Sequence, residues 1–182
     1  ARAHARFNDV RRLANAVVGP LYDEIAKVPG STEARRALVK EALAYLDRLQ
    51  ALSGDDLDLK SELAEAYQKI GDVQGNVFYA NLGETAGAKA SYTTLLRLRR
   101  DVFAGRPNDE SARLGLAHAH IRDGDLALAE GRADDSIGHY GRALAVLDGT
   151  PSRTEARALT EVRARSGLGA ILGQAGRHGE AI

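Results

Sequence analysis

The sequence predicts an all-α fold of antiparallel helix pairs stacked as repeats, and three observations carry that reading. Apolar residues recur at steps of three and four, as on one face of a helix, for example Leu59, Leu63, Tyr67 and Ile70. No segment alternates with period two. A short pattern returns three times, a glycine with a small residue five positions on: Gly83 and Ala88, Gly131 and Ser136, Gly176 and Ala181.

The first stripe is Phe7, Val10, Leu13, Val17, Leu21, Ile25 and Val28, one face of a helix that Gly19-Pro20 should kink, since proline removes a backbone bond. Pro29-Gly30-Ser31-Thr32 breaks the chain and offers Ser31 or Thr32 as the next N-cap. The second helix should bury Leu38, Ala42, Tyr45 or Leu46, and Leu49, ending near Gly54. Asp55 or Asp56 caps a third helix, which runs into Gly71-Asp72 and the polar stretch Gln74-Gly75-Asn76. The fourth carries Ala88, Tyr92, Leu95 and Val102 and stops at the turn 105–109. A long helix runs from near Asp109 to Glu130, with Gly131 as a left-handed stop. Another holds Ile137, Tyr140, Ala143, Leu144 and Leu147 before Gly149-Thr150-Pro151, and the last full helix spans about Thr154 to Ala175. Residues 1–54 thus read as an N-terminal pair, a cap or degenerate repeat. Residues 55–182 read as repeats over about 55–105, 109–149 and 154–182, the last truncated.

The repeat is more specific than its glycines. The small residue is followed by an aromatic four on and an aliphatic or alanine three beyond, as Ala88-Tyr92-Leu95 and Ser136-Tyr140-Ala143; Ala42, Leu46 and Leu49 match more loosely. Helices that cross closely need a small residue at the crossing and a bulky one to fill the gap beside it. Gly124 and Gly169 each lie seven residues before a glycine stop. A mid-helix glycine costs about 1 kcal/mol against alanine, so each suggests a close approach. Gly71 lies twelve before Gly83, which implies a five-residue insertion at Gln74 to Leu82.

Composition excludes several functions. Lys+Arg and Asp+Glu balance at 25 each, so no overall field draws the chain to nucleic acid. There is no cysteine, which removes disulfides, thiolate zinc and a cysteine nucleophile. No apolar run approaches the ~18 residues of a membrane helix, and no signal peptide is visible. The absence of Met, even at position 1, and an end at Gly179-Glu180-Ala181-Ile182, where a helix should begin, suggest a piece of a longer protein.

The chemistry-bearing residues do not assemble into a catalytic set. Kinase loops and a phosphate-binding Gly-x-x-x-x-Gly-Lys-Ser/Thr are missing from these residues. His118 and His120, two apart on a helix, point about 200° apart and cannot chelate one ion together. Asp123-Gly124-Asp125 lacks the later ligands of a calcium loop. Asp55-Asp56 and Asp134-Asp135 are explained by capping and the helix dipole. Arg2, Arg6, Arg11 and Arg12 could face lipid headgroups, but a solvated helix face is the simpler reading. Val77-Phe78-Tyr79 is expected to fold back on the repeat. The expectation is no enzyme, no metal and no cofactor in this fragment.

The small residue eight positions into a first helix, the glycine turn, and Ala-x-x-x-aromatic-x-x-Ala in a second resemble the tetratricopeptide repeat. The match covers about 57–182 well and 31–54 weakly. The spacing of 48 and then 45 residues departs from the family's usual 34; the closing proline appears only as Pro107 and Pro151, and the aromatic near the start of the first helix is missing. Phe7-Asn8-Asp9-Val10-Arg11-Arg12-Leu13-Ala14-Asn15, Pro29-Gly30-Ser31-Thr32, Ala42-Leu43-Ala44-Tyr45-Leu46-Asp47, Gly71-Asp72-Val73-Gln74-Gly75-Asn76 and Ala80-Asn81-Leu82-Gly83 resemble the C-terminal region of bacterial membrane-anchored serine/threonine protein kinases. Gly19-Pro20 departs from that group, where a bulky residue continues the helix.

The resemblance implies a right-handed superhelix whose inner face binds a protein or peptide partner. Carried onto this chain, the groove positions are Glu65, Gln68 and Asp72, then His118, Arg122 and Asp125, then Arg163, Ser166 and Gln174. Their mixed charge argues against a dedicated acidic-peptide clamp. The resemblance to the kinase region also implies an extracytoplasmic sensor or docking region of an inner-membrane receptor kinase, with a cytoplasmic location as the alternative. A homodimer module is the second reading, and a small-ligand-binding domain the third, for which no polar constellation is found.

Overall fold

A computed structural model describes residues 30–76, 78, 81–148 and 154–174. The expected first helix with its Gly19-Pro20 kink, the Arg2–Arg12 cluster, Val77, Tyr79, Gly149-Thr150-Pro151 and the Gly176–Ala181 pair lie outside these residues. Among the described residues there are six helices and no strand: α1 Thr32–Leu52, α2 Leu57–Gly75, α3 Thr85–Gly105, α4 Glu110–Ala129, α5 Ala133–Asp148 and α6 Glu155–Gln174. The chain is all-α with a helical-repeat organisation. Each helix packs on the next, α2 with α3 and α4 with α5 most extensively, and α4 also touches both α2 and α6.

Local chemistry sets the ends. Asp56 accepts the Leu59 amide at 3.0 Å and Asp109 those of Ser111 and Ala112 at 2.7 and 3.3 Å, satisfying first-turn donors that no helix carbonyl can reach. Ser31 occupies the N-cap of α1 but makes no capping bond with its side chain. Gly131 takes φ +73°, the left-handed value its role as a stop requires. The amide of Gly131 donates to the Leu128 carbonyl and that of Arg132 to the Ala127 carbonyl, a paired closure of the last turn. Gly131→Ala should therefore cost about 1 kcal/mol in urea denaturation, because a Cβ disfavours that backbone even where space is open.

The core follows the expected stripes with one shift. Leu59, Leu63, Tyr67 and Ile70 are all buried, but α1 buries Val39 rather than Leu38, together with Ala42, Leu46 and Leu49. Leu46 rather than Tyr45 takes the fully buried position, and Tyr45 lies at its edge.

The pairs are antiparallel. Tyr92 near the start of α3 donates to Asp72 near the end of α2 at 2.7 Å, while Arg99 further along α3 donates to Ser61 early in α2 at 3.0 Å. Tyr140 of α5 likewise donates to Asp125 of α4, while Arg113 at the start of α4 donates to the Val146 carbonyl near the end of α5. Both tyrosine rings lie over the glycine that precedes the accepting aspartate. A Cβ on Gly71 would come within 2.4 Å of the Tyr92 ring, and one on Gly124 within 3.3 Å of Tyr140. The expected close approach is real at Gly71 and Gly124. At Gly169 no atom of the described residues lies within 4 Å of an added Cβ, and the helix expected to follow, from Ala181, lies outside them.

Asp72 and Tyr92 are twenty residues apart and Asp125 and Tyr140 fifteen, so one contact is kept across a five-residue difference. The extra residues form a loop, but α2 continues through Gln74 and Gly75, so the insertion begins later than expected, at Asn76. Its ends are tied by backbone bonds from Leu82 to Val73 and from Glu84 to Gln74. Buried Gln74 also accepts the Ser91 hydroxyl at 2.7 Å.

Candidate partner groove

Helices α2, α4 and α6 share one face, and a ladder of alternating charge crosses it. Arg122 of α4 reaches back to Asp72 of α2, with Nε 3.0 Å from Oδ1 and Nη2 3.1 Å from Oδ2. Its Nη1 lies 3.6 Å from Asp125, one turn on, and Arg163 of α6 reaches back to the same carboxylate at 3.0 Å. The tyrosine hydroxyls complete it, Tyr92 donating to Asp72 and Tyr140 to Asp125. Burial, then the adjoining carboxylate, holds both phenols well above their usual range, so they remain neutral donors.

Three adjoining depressions lie along this face. The first, about 470 Å³, lies among Glu65, Arg99, Glu110 and His118. The second, about 130 Å³, is lined by Gln68, His118, Ile121, Arg122 and Arg163. The third, about 460 Å³, is walled by Phe78, Leu128, Tyr140, Arg163, Gly167 and Ala170, with Asp125 and Ser166 at its edge. His118 borders the first two and Arg163 the last two, so the depressions form one trough.

The expected groove residues divide accordingly. Glu65, Gln68, His118, Arg163 and Ser166 line the trough. Arg122 and Asp125 also line it, but their charges are taken up within the structure, Arg122 by Asp72 and Asp125 by Arg163 and Tyr140. Asp72, which also accepts from Tyr92 and Asn76, lies behind Arg122 rather than in the lining. The backbone of Gln174 ends α6, and its side chain lies outside the described residues. The third depression was not legible as a site. Phe78 lies against the repeat, with the Arg163 guanidinium 5.8 Å from its ring centroid, yet stays 59% exposed; Val77 and Tyr79 lie outside the described residues. Pairing of a Gly-Asp dipeptide with the repeat tyrosine was the signal that could have identified the floor.

The two histidines of α4 face different ways. His118 Nε2 lies 2.9 Å from Thr160 Oγ1, whose own proton goes to the Ala156 carbonyl, so the hydroxyl accepts and Nε2 carries the proton. Burial and the nearby Arg122, Arg163 and Arg99 lower the His118 pKa. His120 packs instead at α5, its ring 5.9 Å from that of His139, and Asp123 Oδ2 lies 3.8 Å from His139. Among the described residues no group of three or more His, Asp or Glu is placed to hold a metal ion, and no helix is long and apolar enough to cross a membrane.

That second cluster makes a pH prediction. Burial, then Arg100, His139 and Arg142, pushes His120 down to about 4, whereas burial pushes Asp123 up to about 6 against Arg100 and Arg132. A depressed histidine contributes stability above its ordinary ~6.5, lost as pH falls through its folded value; the raised aspartate acts oppositely, losing stability as pH rises through 6. His118 and His139 are also lowered, so the histidine sign prevails below pH 6.5. His120→Gln should flatten the fall in stability between pH 7 and pH 4, of which His120 accounts for about 3 kcal/mol at most. Urea midpoints at the two pH values measure it; an unchanged slope would contradict the assignment.

No family model matches the chain, and neither curated proteins nor solved structures give a match.

Proposed function

We propose that this chain is a protein-interaction module of the tetratricopeptide type, its helix pairs stacked as a right-handed superhelix whose trough receives an extended peptide or tail of a partner protein. The observation that carries it is the trough itself. It spans three helices from successive pairs and is floored by a ladder whose charges are satisfied internally. A floor of that kind does not select on net charge. It leaves an apolar third depression, bordered by Arg163 and Ser166, for a partner's apolar side chain and the polar backbone beside it.

The sequence resemblance alone suggests the wider setting, the sensor or docking region of a bacterial receptor-type serine/threonine kinase, with this region outside the cytoplasm. We read the fragment as non-enzymatic, because the phenols are tied as donors to carboxylates and His118 to a threonine, leaving no activated nucleophile on the described face.

Panning a random linear-peptide library over the purified chain tests the reading. Peptides with an apolar anchor should be enriched, and their affinity should fall at least tenfold in Ala170→Trp, which fills the third depression from an exposed position. Gln68→Trp, which narrows the middle one, should weaken peptides that extend that far. Enriched peptides indifferent to both substitutions would overturn it.

A further inference from the structure

Packing of the first pair does not require the five-residue insertion. The second pair brings its tyrosine onto its aspartate across fifteen residues and the first across twenty, with the same contact. Yet the loop made by the extra residues is closely tied. Asn76, buried, donates from Nδ2 to Asp72 Oδ1 at 2.9 Å and accepts the Phe78 amide on Oδ1 at 3.0 Å. Asn81 donates to the Asn76 carbonyl at 2.8 Å and accepts the Gly83 amide at 2.7 Å. Leu82 anchors the far end in the core. Because Asp72 also takes Tyr92 and Arg122, the loop is fastened to the charge ladder itself.

What this bracing presents is a ring left largely in water. Phe78 is the loop residue that borders the third depression. A large apolar side chain on a fixed support is well suited to anchor a partner, since little freedom is lost when it is covered. The rest of the depression matches it. Tyr140 lends its ring there while its hydroxyl is held by Asp125. Arg163 sets its guanidinium against the Phe78 ring while bonding Asp125. The α6 wall is low, made of Gly167 and Ala170. Two rings and a guanidinium suit a flat side chain: ring pairing and cation–π contact add to the burial of apolar area, which is all that an aliphatic side chain gains.

We infer that the insertion is the specificity element of the trough: Phe78 selects an aromatic side chain of the partner peptide at the third depression, and Asn76 is the positioning residue that holds Phe78 there. Both roles rest on the trough being where the partner binds.

The probe is a seven-residue random peptide library, panned in parallel over the full chain and over its Phe78→Leu variant. Peptides from the unaltered chain should carry Phe, Tyr or Trp at the position whose binding Ala170→Trp abolishes, whereas Phe78→Leu should accept Leu, Ile or Met there as often. Replacing that ring by leucine in a synthetic peptide should cost the unaltered chain about three- to tenfold more affinity than it costs Phe78→Leu, the coupling expected of a ring pair. Phe78→Leu should melt with the unaltered chain, because the ring is exposed. Asn76→Ala should weaken the peptide several-fold, but no further in a chain already carrying Phe78→Ala; a loss in both backgrounds would overturn the positioning role. Aliphatic anchors that Ala170→Trp abolishes, or equal ring-to-leucine losses in both chains, would overturn the role of Phe78 and leave the trough in place. No enrichment, or peptides indifferent to both Ala170→Trp and Gln68→Trp, would remove the trough as the binding site and the selectivity of Phe78 with it.

Discussion

Replacing Asp125 with alanine should lower the unfolding free energy by about 3–5 kcal/mol, the range for removing one partner of a buried ion pair. The carboxylate is 8% exposed and holds three groups: the Tyr140 hydroxyl at 2.5 Å, Arg163 at 3.0 Å and Arg122 at 3.6 Å. Alanine strands a buried phenol and leaves Arg122 leaning on Asp72 alone. Arg163→Ala tests the same ladder from its exposed end, where the guanidinium is 41% exposed, and should cost about 1 kcal/mol. Urea denaturation of both variants provides the comparison. A loss below 1 kcal/mol for Asp125→Ala would mean that the ladder does not hold the pairs together.

The second large effect separates two glycines that the sequence presents alike. Gly71→Ala should destabilise by about 1–3 kcal/mol, because its Cβ would lie 2.4 and 2.6 Å from two atoms of the Tyr92 ring. That ring is buried and pinned through its hydroxyl to Asp72, so it cannot simply swing away. Gly169→Ala, in open space within α6, should instead be neutral or stabilise by up to about 1 kcal/mol through helix propensity. Thermal melts of the pair should move in opposite directions or leave Gly169→Ala unmoved. A fall at Gly169 as large as at Gly71 would place an unrecognised neighbour over α6.

The contrast between these glycines marks how far the sequence was legible. Helix positions followed from the three-and-four spacing, caps from Asp56 and Asp109, and a stop from Gly131, because these are decided within one turn of chain. Gly83, read as a stop, instead lies in the loop before α3, since α2 already ends at Gly75. The equivalence of the pairs followed from the small-aromatic pattern, and the five-residue insertion from glycine spacing. That Gln68, His118, Arg122 and Arg163 share one face was also legible, because residues seven apart return to nearly one azimuth. What a given side chain meets across the helix interface was not. Arg122 and Asp125 read as outward polar residues, yet each finds its counter-charge on another helix, fifty residues away in the case of Asp72 and Arg122. Phe78 read as a residue that folds back on the repeat, but which part of the repeat it meets is set by α6, more than eighty residues downstream. Long-range pairings of this kind leave no local period to read.

The central claim is that the trough over α2, α4 and α6 is where a partner binds. Amide and methyl chemical-shift mapping of the full chain, titrated with a library-selected peptide, tests it most directly. Perturbations should concentrate at Gln68, His118, Ile121, Ser166 and Ala170 and be lost in Ala170→Trp. Perturbations confined to α1, or to the outer surfaces of α3 and α5, would contradict it.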